Sequence, residues 1–229
     1  MPDPVESSDD ARVVGVGPHP GPWPTDPRYD PDLLANGDRR NVVDRYRYWR
    51  REAIVADLDA QRHPFHVAIE NWQHDFNIGT IVRNANAFGA RTVHIIGKRR
   101  WNRRGAMVTD RYQHIVHHPS VEALLTVMAP MDLTLIGIDI VDTATPLEAA
   151  VLPERCVLVL GQEGPGLSPE MLDAVDRVHA ITQYGSTRSI NVGVASGIAM
   201  HMWIRQHARQ PDTASCGADA HRNVSDTDR

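Results

Sequence analysis

Cysteine is nearly absent: only Cys156 and Cys216 occur in 229 residues, one in an apolar run and one in a polar stretch. That pair excludes a disulfide framework and a cysteine-built zinc site. No apolar run approaches the roughly 18 residues that span a bilayer. The opening Met1-Pro2-Asp3-Pro4 lacks the positive-then-apolar pattern of a signal peptide, so the cytoplasm is the expected location. Net positive charge is also missing, at −5, which on its face argues against nucleic acid.

The distribution of charge reverses that impression. The deficit lies in the two ends, 1–40 and 208–229, and leaves 41–207 neutral. Within the neutral middle, Arg45, Arg47, Arg50 and Arg51 share a short stretch with Tyr46, Tyr48 and Trp49. Lys98, Arg99, Arg100, Arg103 and Arg104 surround Trp101. Arginine mixed with aromatics suits phosphate neutralisation with base stacking, and equally a solvated surface. Hydrophobic residues make up 41% and charged residues 23%, the mix of one globular domain with loose ends.

Residues 1–40 are rich in proline, glycine and aspartate, and are expected to be disordered or extended. Apolar spacing predicts a basic helical extension over 41–63, with the helix ending near Gln61. The stretch 208–229 is expected to be a flexible tail. Between these, strand-like runs at 65–70, 92–97, 133–140, 156–161 and 177–182 alternate with helix-like runs at 78–88, 121–129, 146–151, 169–175 and 192–207. That order predicts an α/β domain over 64–207, a mostly parallel sheet with helices on both faces. Ligands in such sheets sit beyond the carboxyl ends of strands, so the loops after strands carry the signal.

Three loops stand out. The first opens the helix at 78 with Asn77 as a candidate N-cap, holds Arg83, and ends at Phe88-Gly89. The second, Leu160-Gly161-Gln162-Glu163-Gly164-Pro165-Gly166-Leu167, puts three glycines after a strand, where backbone can approach a ligand closely. It lacks the P-loop lysine and the dinucleotide GxGxxG spacing, and suits a nucleoside-type cofactor better than a triphosphate. The third runs from Ile181 through Ser189, Ile190 and Asn191 into a helix of small residues.

Taken in order, these loops resemble the three motifs of the SpoU (TrmH-type) family in the SPOUT superfamily of RNA methyltransferases. The first motif matches Asn77, Gly79, Arg83 and Phe88-Gly89. The second matches Gly161, Glu163, Gly166 and Leu167, and the third Ser189-Ile190-Asn191-Val192. The likeness covers about 65–207. It departs where the family often has Ile-Pro-Met and this chain has Ile181-Thr182-Gln183. The resemblance implies a C-terminal deep trefoil knot, an exception to the general rule. It also implies a homodimer whose interface includes the helix over 192–207, and S-adenosyl-L-methionine (SAM) bound by Leu160, Gly161, Gly166, Ile181 and Ile190.

The implied reaction is methyl transfer to a ribose 2′-hydroxyl of tRNA or rRNA, with Arg83, Asn77, Glu163, Ser189 and Asn191 as the catalytic set. An arginine with a pKa above about 12 is a poor base, so Arg83 is expected to grip phosphate and stabilise developing negative charge. Glu163 either orients Arg83 as an ion pair or ties its loop to helix termini. Asn77, Ser189 and Asn191 would position ribose and phosphate. RNA docking falls to Arg45, Arg47, Arg50, Lys98, Arg99, Arg100, Arg103 and Arg104. His114, His117 and His118 have no nearby acid or cysteine, and no metal is expected. The rival reading is a dimeric RNA-binding module that has lost catalysis; a base-methylating enzyme of the same superfamily would need a catalytic aspartate in another motif setting.

Overall fold

The computed structural model describes residues 15–73 and 75–208. Of the two expected tails, 1–40 and 208–229, residues 1–14 and 209–229 lie outside the described residues. The chain divides into two compact units, Met1–Ile54 and Val55–Arg229, a boundary that falls inside the expected helical extension.

In the first unit, residues 15–40 hold more structure than the loose tail expected there. Helix α1 (Pro31–Asn36) starts after Asp30, whose carboxylate accepts from the Asp32 amide. Antiparallel bridges pair Val16 with Asp38 and Tyr29 with Trp49. Asp38 is fully buried and accepts from the Arg40 guanidinium at 2.8 and 2.7 Å and from the Tyr48 amide at 2.9 Å. Burial pushes its carboxyl up, but those hydrogen bonds hold it below the usual carboxylate range. This buried ion pair, together with backbone and arginine hydrogen bonds within the unit, gives an order that apolar periodicity does not register. The helix expected to end near 61 begins late, as α2 (Arg51–Gln61), after a 3-10 turn at Asp44–Tyr46. Tyr48, at φ 62°, is left-handed and interrupts it.

The second unit has the expected parallel sheet. Its strands are β1 (His66–Asn71), β2 (Val93–Gly97), β3 (Ile115–His118), β4 (Thr134–Ile138), β5 (Thr145–Pro146), β6 (Cys156–Leu160) and β7 (Arg177–Ala180). They lie in the order β3-β2-β1-β6-β4-β7-β5, all parallel. Alternation along the strands feeds two cores. Val67, Ile69, Leu158 and Leu160 face one side with α3 (Ile78–Ala87) and α6 (Val192–His207). Ala68, Val157 and Val159 face the other with α4 (Val121–Met128) and α5 (Pro169–Ala174). Burying both faces is what makes these strands read as continuous apolar runs.

Two segments differ from expectation. The helix predicted over 146–151 is the short strand β5 and a 3-10 turn at Leu147–Ala149, because Pro146 sits on the sheet edge, where no ladder donor is needed. Strand β3 was not expected: its four residues, Ile115-Val116-His117-His118, carry no apolar alternation. Among the described residues no helix is long and apolar enough to cross a membrane.

The small residues of α6 serve packing within the chain. Gly193 O and Ser196 Oγ accept from Asn84 Nδ2 of α3 at 2.9 and 3.0 Å. A β carbon on Gly193 would lie 3.0 Å from Thr80 Cγ2, so glycine sets the helix separation. The face carrying Val194 and Ile198 stays exposed.

Candidate active site

β6, β4 and β7 are neighbours in the sheet, and the loops leaving their carboxyl ends enclose a cavity of about 330 Å³. After β6, Gln162 and Gly166 hydrogen-bond backbone to backbone in both directions, at 2.9 and 3.2 Å, which pinches the glycine-rich loop shut. Gly166 has φ 75° and abuts the Asp139 carboxylate, so a side chain there would be strained and would collide. Asp139, just after β4, accepts from the Leu167 amide at 2.7 Å and donates its own amide to His179 O of β7 at 3.1 Å. One acid thus fastens three strand ends together.

Beyond β7, Thr182 donates its amide and hydroxyl to Glu148, both at 2.9 Å, which fixes the start of the third loop. The loop then presents Ile181, Gln183, Ser189, Ile190 and Asn191 to the cavity, with Gly161, Glu163 and Gly166 across from them. Apolar walls come from Ile138, Ile140, Ile181, Ile190 and Val192. Leu160 instead points into the core, so any ligand contact it makes is through its backbone.

Three of the residues expected to be catalytic join in one hydrogen-bonded chain. Asn191 Nδ2 donates to Asn77 Oδ1 at 2.9 Å, and Asn77 Nδ2 donates to Glu163 Oε2 at 2.6 Å. Asn191 also caps α6, its Oδ1 accepting from the Gly193 and Val194 amides at 2.9 and 3.2 Å. Asn77 stands at the N-cap position of α3 but makes no side-chain cap; its amide is committed to the other two loops. Glu163 pairs with Asn77 rather than with Arg83, so of its two expected roles the structure has the loop tie. Arg83 lies on the exposed side of α3, with no hydrogen bond or ion pair among the described residues. Ser189 lines the cavity and caps nothing.

The docking residues divide by how their side chains are used. Arg47 is half-buried and bonds Arg40 O at 2.7 Å and Asp44; Arg50 bonds Tyr29 O at 3.0 Å; Arg45 lies 4.6 Å above the Tyr46 ring. Those arginines hold the first unit together. Lys98, Arg99, Arg100 and Arg104 are exposed, and Arg103 reaches Asp110 at 3.2 Å. Their loop is pinned by its backbone, since Asn71 Nδ2 donates to Lys98 O at 2.7 Å and to Arg100 O at 3.0 Å. Among the lining residues not expected to be part of the site are Asp139, which lies outside the three motif loops, and Gln162 and Gln183, which lie within them but were given no side-chain role. Asp139 follows a strand directly, and the strand-end rule applied to β4 finds it.

Comparison with known proteins agrees with this architecture. The model of the SpoU rRNA Methylase family matches residues 64–201. A Mycolicibacterium vanbaalenii protein named "Uncharacterized tRNA/rRNA methyltransferase" is 30% identical over 195 residues, covering 79% of this chain and 60% of that protein. The Escherichia coli K12 "tRNA (guanosine(18)-2'-O)-methyltransferase" is 22% identical over 71% of this chain and 77% of its own length. The chain therefore spans 60% of the length of the first relative, and 48% of a similarly named Synechocystis protein. Among solved structures, the A. aeolicus TrmH/SpoU tRNA modifying enzyme superposes with a TM-score of 0.60 at 23% identity, covering 68% of this chain and 83% of that one. An AdoMet-bound rRNA methyltransferase from Sinorhizobium meliloti gives 0.56 at 22%, covering 65% and 59%. At such identities the superpositions speak for the fold, and the family match decides the rest: the chain belongs to the SpoU rRNA Methylase family.

Proposed function

We propose that the chain is a SAM-dependent RNA methyltransferase that acts on a ribose 2′-hydroxyl of tRNA or rRNA as a homodimer. The observation that carries the reading is the Asn191–Asn77–Glu163 chain, which ties the third, first and second motifs together at the rim of one cavity. The cavity's chemistry fits SAM. Isoleucine walls suit a flat base, glycine backbone permits close approach, and Gln183 and Gln162 keep buried polar atoms without partners among the described residues. Bound there, SAM supplies a methyl group on an electrophilic sulfonium.

The holding residues are then Gly161, Gly166, Ile181 and Ile190, with Leu160 through its backbone. The knot implied by the resemblance belongs to the same reading, with the two loops that hold it sharing this cavity. Arg83, without a partner among the described residues, is always charged and planar, suited to gripping an RNA phosphate and stabilising negative charge on the 2′-oxygen. Asn77 and Asn191 hold the loops in register, and Ser189 offers a hydroxyl to ribose or phosphate. Lys98, Arg99, Arg100, Arg103 and Arg104 extend the positive surface for RNA.

The test is mass spectrometry of nucleosides from tRNA and rRNA of a deletion strain, compared with the parent. One missing 2′-O-methylnucleoside, restored by the purified protein with SAM, is the expected result. A missing base-methylated nucleoside would move the reaction from ribose to base, and no difference in either RNA would reject the enzyme reading.

A further inference from the structure

Gln183 lines the cavity, and both its side-chain amide atoms are buried without a hydrogen-bond partner among the described residues. Gln162, across the cavity on the β6 loop, leaves Oε1 in the same condition. Buried polar groups in native proteins are nearly always paired, because leaving one unpaired forfeits its hydration with nothing in return. Two such groups on residues that line one cavity, closed off in the free protein and without a partner among the described residues, mark the place where a ligand completes the bonding once a side chain turns toward it.

The kind of ligand edge follows from the groups. A primary amide offers one donor and one acceptor side by side, without charge. It is matched by a planar edge that offers an acceptor next to a donor, as adenine does at N1 and N6 or N7 and N6. The wall supports a flat ring, since Ile138, Ile181 and Ile190 line the same cavity. The carboxylates there, Asp139 and Glu163, suit an ammonium group better than they suit a base edge.

We infer that the Gln183 side chain reads the adenine edge of the cofactor, with Gln162 Oε1 as a second acceptor, so that this chain selects adenosyl ligands by side chain as well as by backbone. The inference rests on the SAM reading above. A site built to bond a polar edge rejects an analogue lacking it, because the site's own groups are then left unpaired.

Calorimetry with three probes tests it: S-adenosylhomocysteine, 5′-methylthioadenosine, and the 5′-methylthio purine nucleoside that lacks the 6-amino group. Wild-type protein should prefer methylthioadenosine to the desamino analogue by roughly tenfold or more. Gln183→Met should weaken methylthioadenosine by a similar factor and bring the preference close to one. Gln183→Leu serves as a second apolar variant, and thermal melting of both checks folding; both should melt no lower than wild type, having lost an unpaired amide. A wild-type preference retained in both variants overturns the assignment and leaves the SAM site standing. Weakened S-adenosylhomocysteine with unchanged methylthioadenosine also overturns it, moving Gln183 to the aminoacyl end. Failure of wild type to bind either adenosyl probe overturns both the assignment and the SAM reading.

Discussion

At the scale of single residues, the division of labour is between groups already paired and groups left free. Asn77, Glu163 and Asn191 spend their side chains on one another, so their loss loosens loops as well as chemistry. Arg83 has no hydrogen-bond or ion-pair partner among the described residues, and that makes it the cleanest variant. Arg83→Ala should leave stability and S-adenosylhomocysteine affinity near wild type while methylation falls roughly 10²-fold or more, the scale of losing one preorganised charge-stabilising group. Arg83→Lys should recover little, since an ammonium lacks the two-pronged planar grip on phosphate. Single-turnover methyl transfer at saturating RNA separates chemistry from binding; normal turnover in Arg83→Ala makes Arg83 a bystander. Gly166→Val works the other way. Its β carbon meets the Asp139 carboxylate at a left-handed φ of 75°, so calorimetry should find S-adenosylhomocysteine binding weakened, and an undiminished affinity would place the cofactor elsewhere.

At the scale of elements, the histidines across β1, β2 and β3 form a ladder. His66 Nδ1 meets His94 Nε2 at 2.9 Å, and His94 Nδ1 meets His118 Nε2 at 2.9 Å. A neutral imidazole has one donor and one acceptor, so three neutral rings in one tautomer satisfy the ladder and an added proton breaks it. Burial, then the charges of Arg91 and Arg155, lowers His66 to about 4; burial, then His66 and His118, lowers His94 to about 3. Folded pKa values below the free value of 6.5 mean stability is complete above pH 6.5 and is lost as pH falls toward 4. The loss is up to about 1.4 kcal/mol per pH unit for each histidine that gains a proton on unfolding. Urea midpoints between pH 7 and 4.5 should fall, and His94→Leu, whose baseline is lower, should show a shallower fall; His63 and His179, also lowered, keep it from vanishing. An equal slope in the variant would disconnect the ladder from acid sensitivity. The exposed 98–104 loop makes a second prediction at this scale: alanine at Arg99, Arg100, Arg103 and Arg104 should weaken RNA binding and flatten log affinity against log salt, and an unchanged slope returns the loop to plain surface. These elements also mark what the sequence discloses. The central strands and α3 to α6 are legible because burial on both faces leaves apolar runs in the strands, α3 carries apolar residues at helical spacing, and Ser120, Ser168 and Asn191 cap α4, α5 and α6. β3 was not, since its four residues, Ile115–His118, carry no apolar alternation, nor was the fold of 15–40, where polar pairing such as that of Asp38 with Arg40 stands in place of a periodic apolar face. The three motif loops were legible by likeness, but the pairing of Glu163 with Asn77 instead of Arg83 joins residues 86 positions apart, which no local pattern encodes.

At the scale of the whole molecule, the question is which surface of α6 is left for a partner. Gly193, Ser196 and Ala199 are used up against the chain's own interior, so the small residues do not by themselves make a dimer face. Val194 and Ile198, four residues apart on one side of the helix, are 55% and 37% exposed. Ala195 between them lines the cavity, so a second copy seated on this face would stand beside the site. A two-fold contact repeats each residue's contribution, and charges placed there would be buried without partners. If the proposed homodimer seats on this face, wild type should sediment as a dimer, and Val194→Asp combined with Ile198→Asp should shift it to monomer while circular dichroism stays native, because neither side chain supports the core; a monomeric wild type would reject the homodimer itself. If the partner completes the RNA site, the monomer should bind S-adenosylhomocysteine within a few-fold of wild type yet methylate RNA far more slowly. A variant that remains dimeric places the interface on another surface, and a monomer with full activity removes the partner from the mechanism.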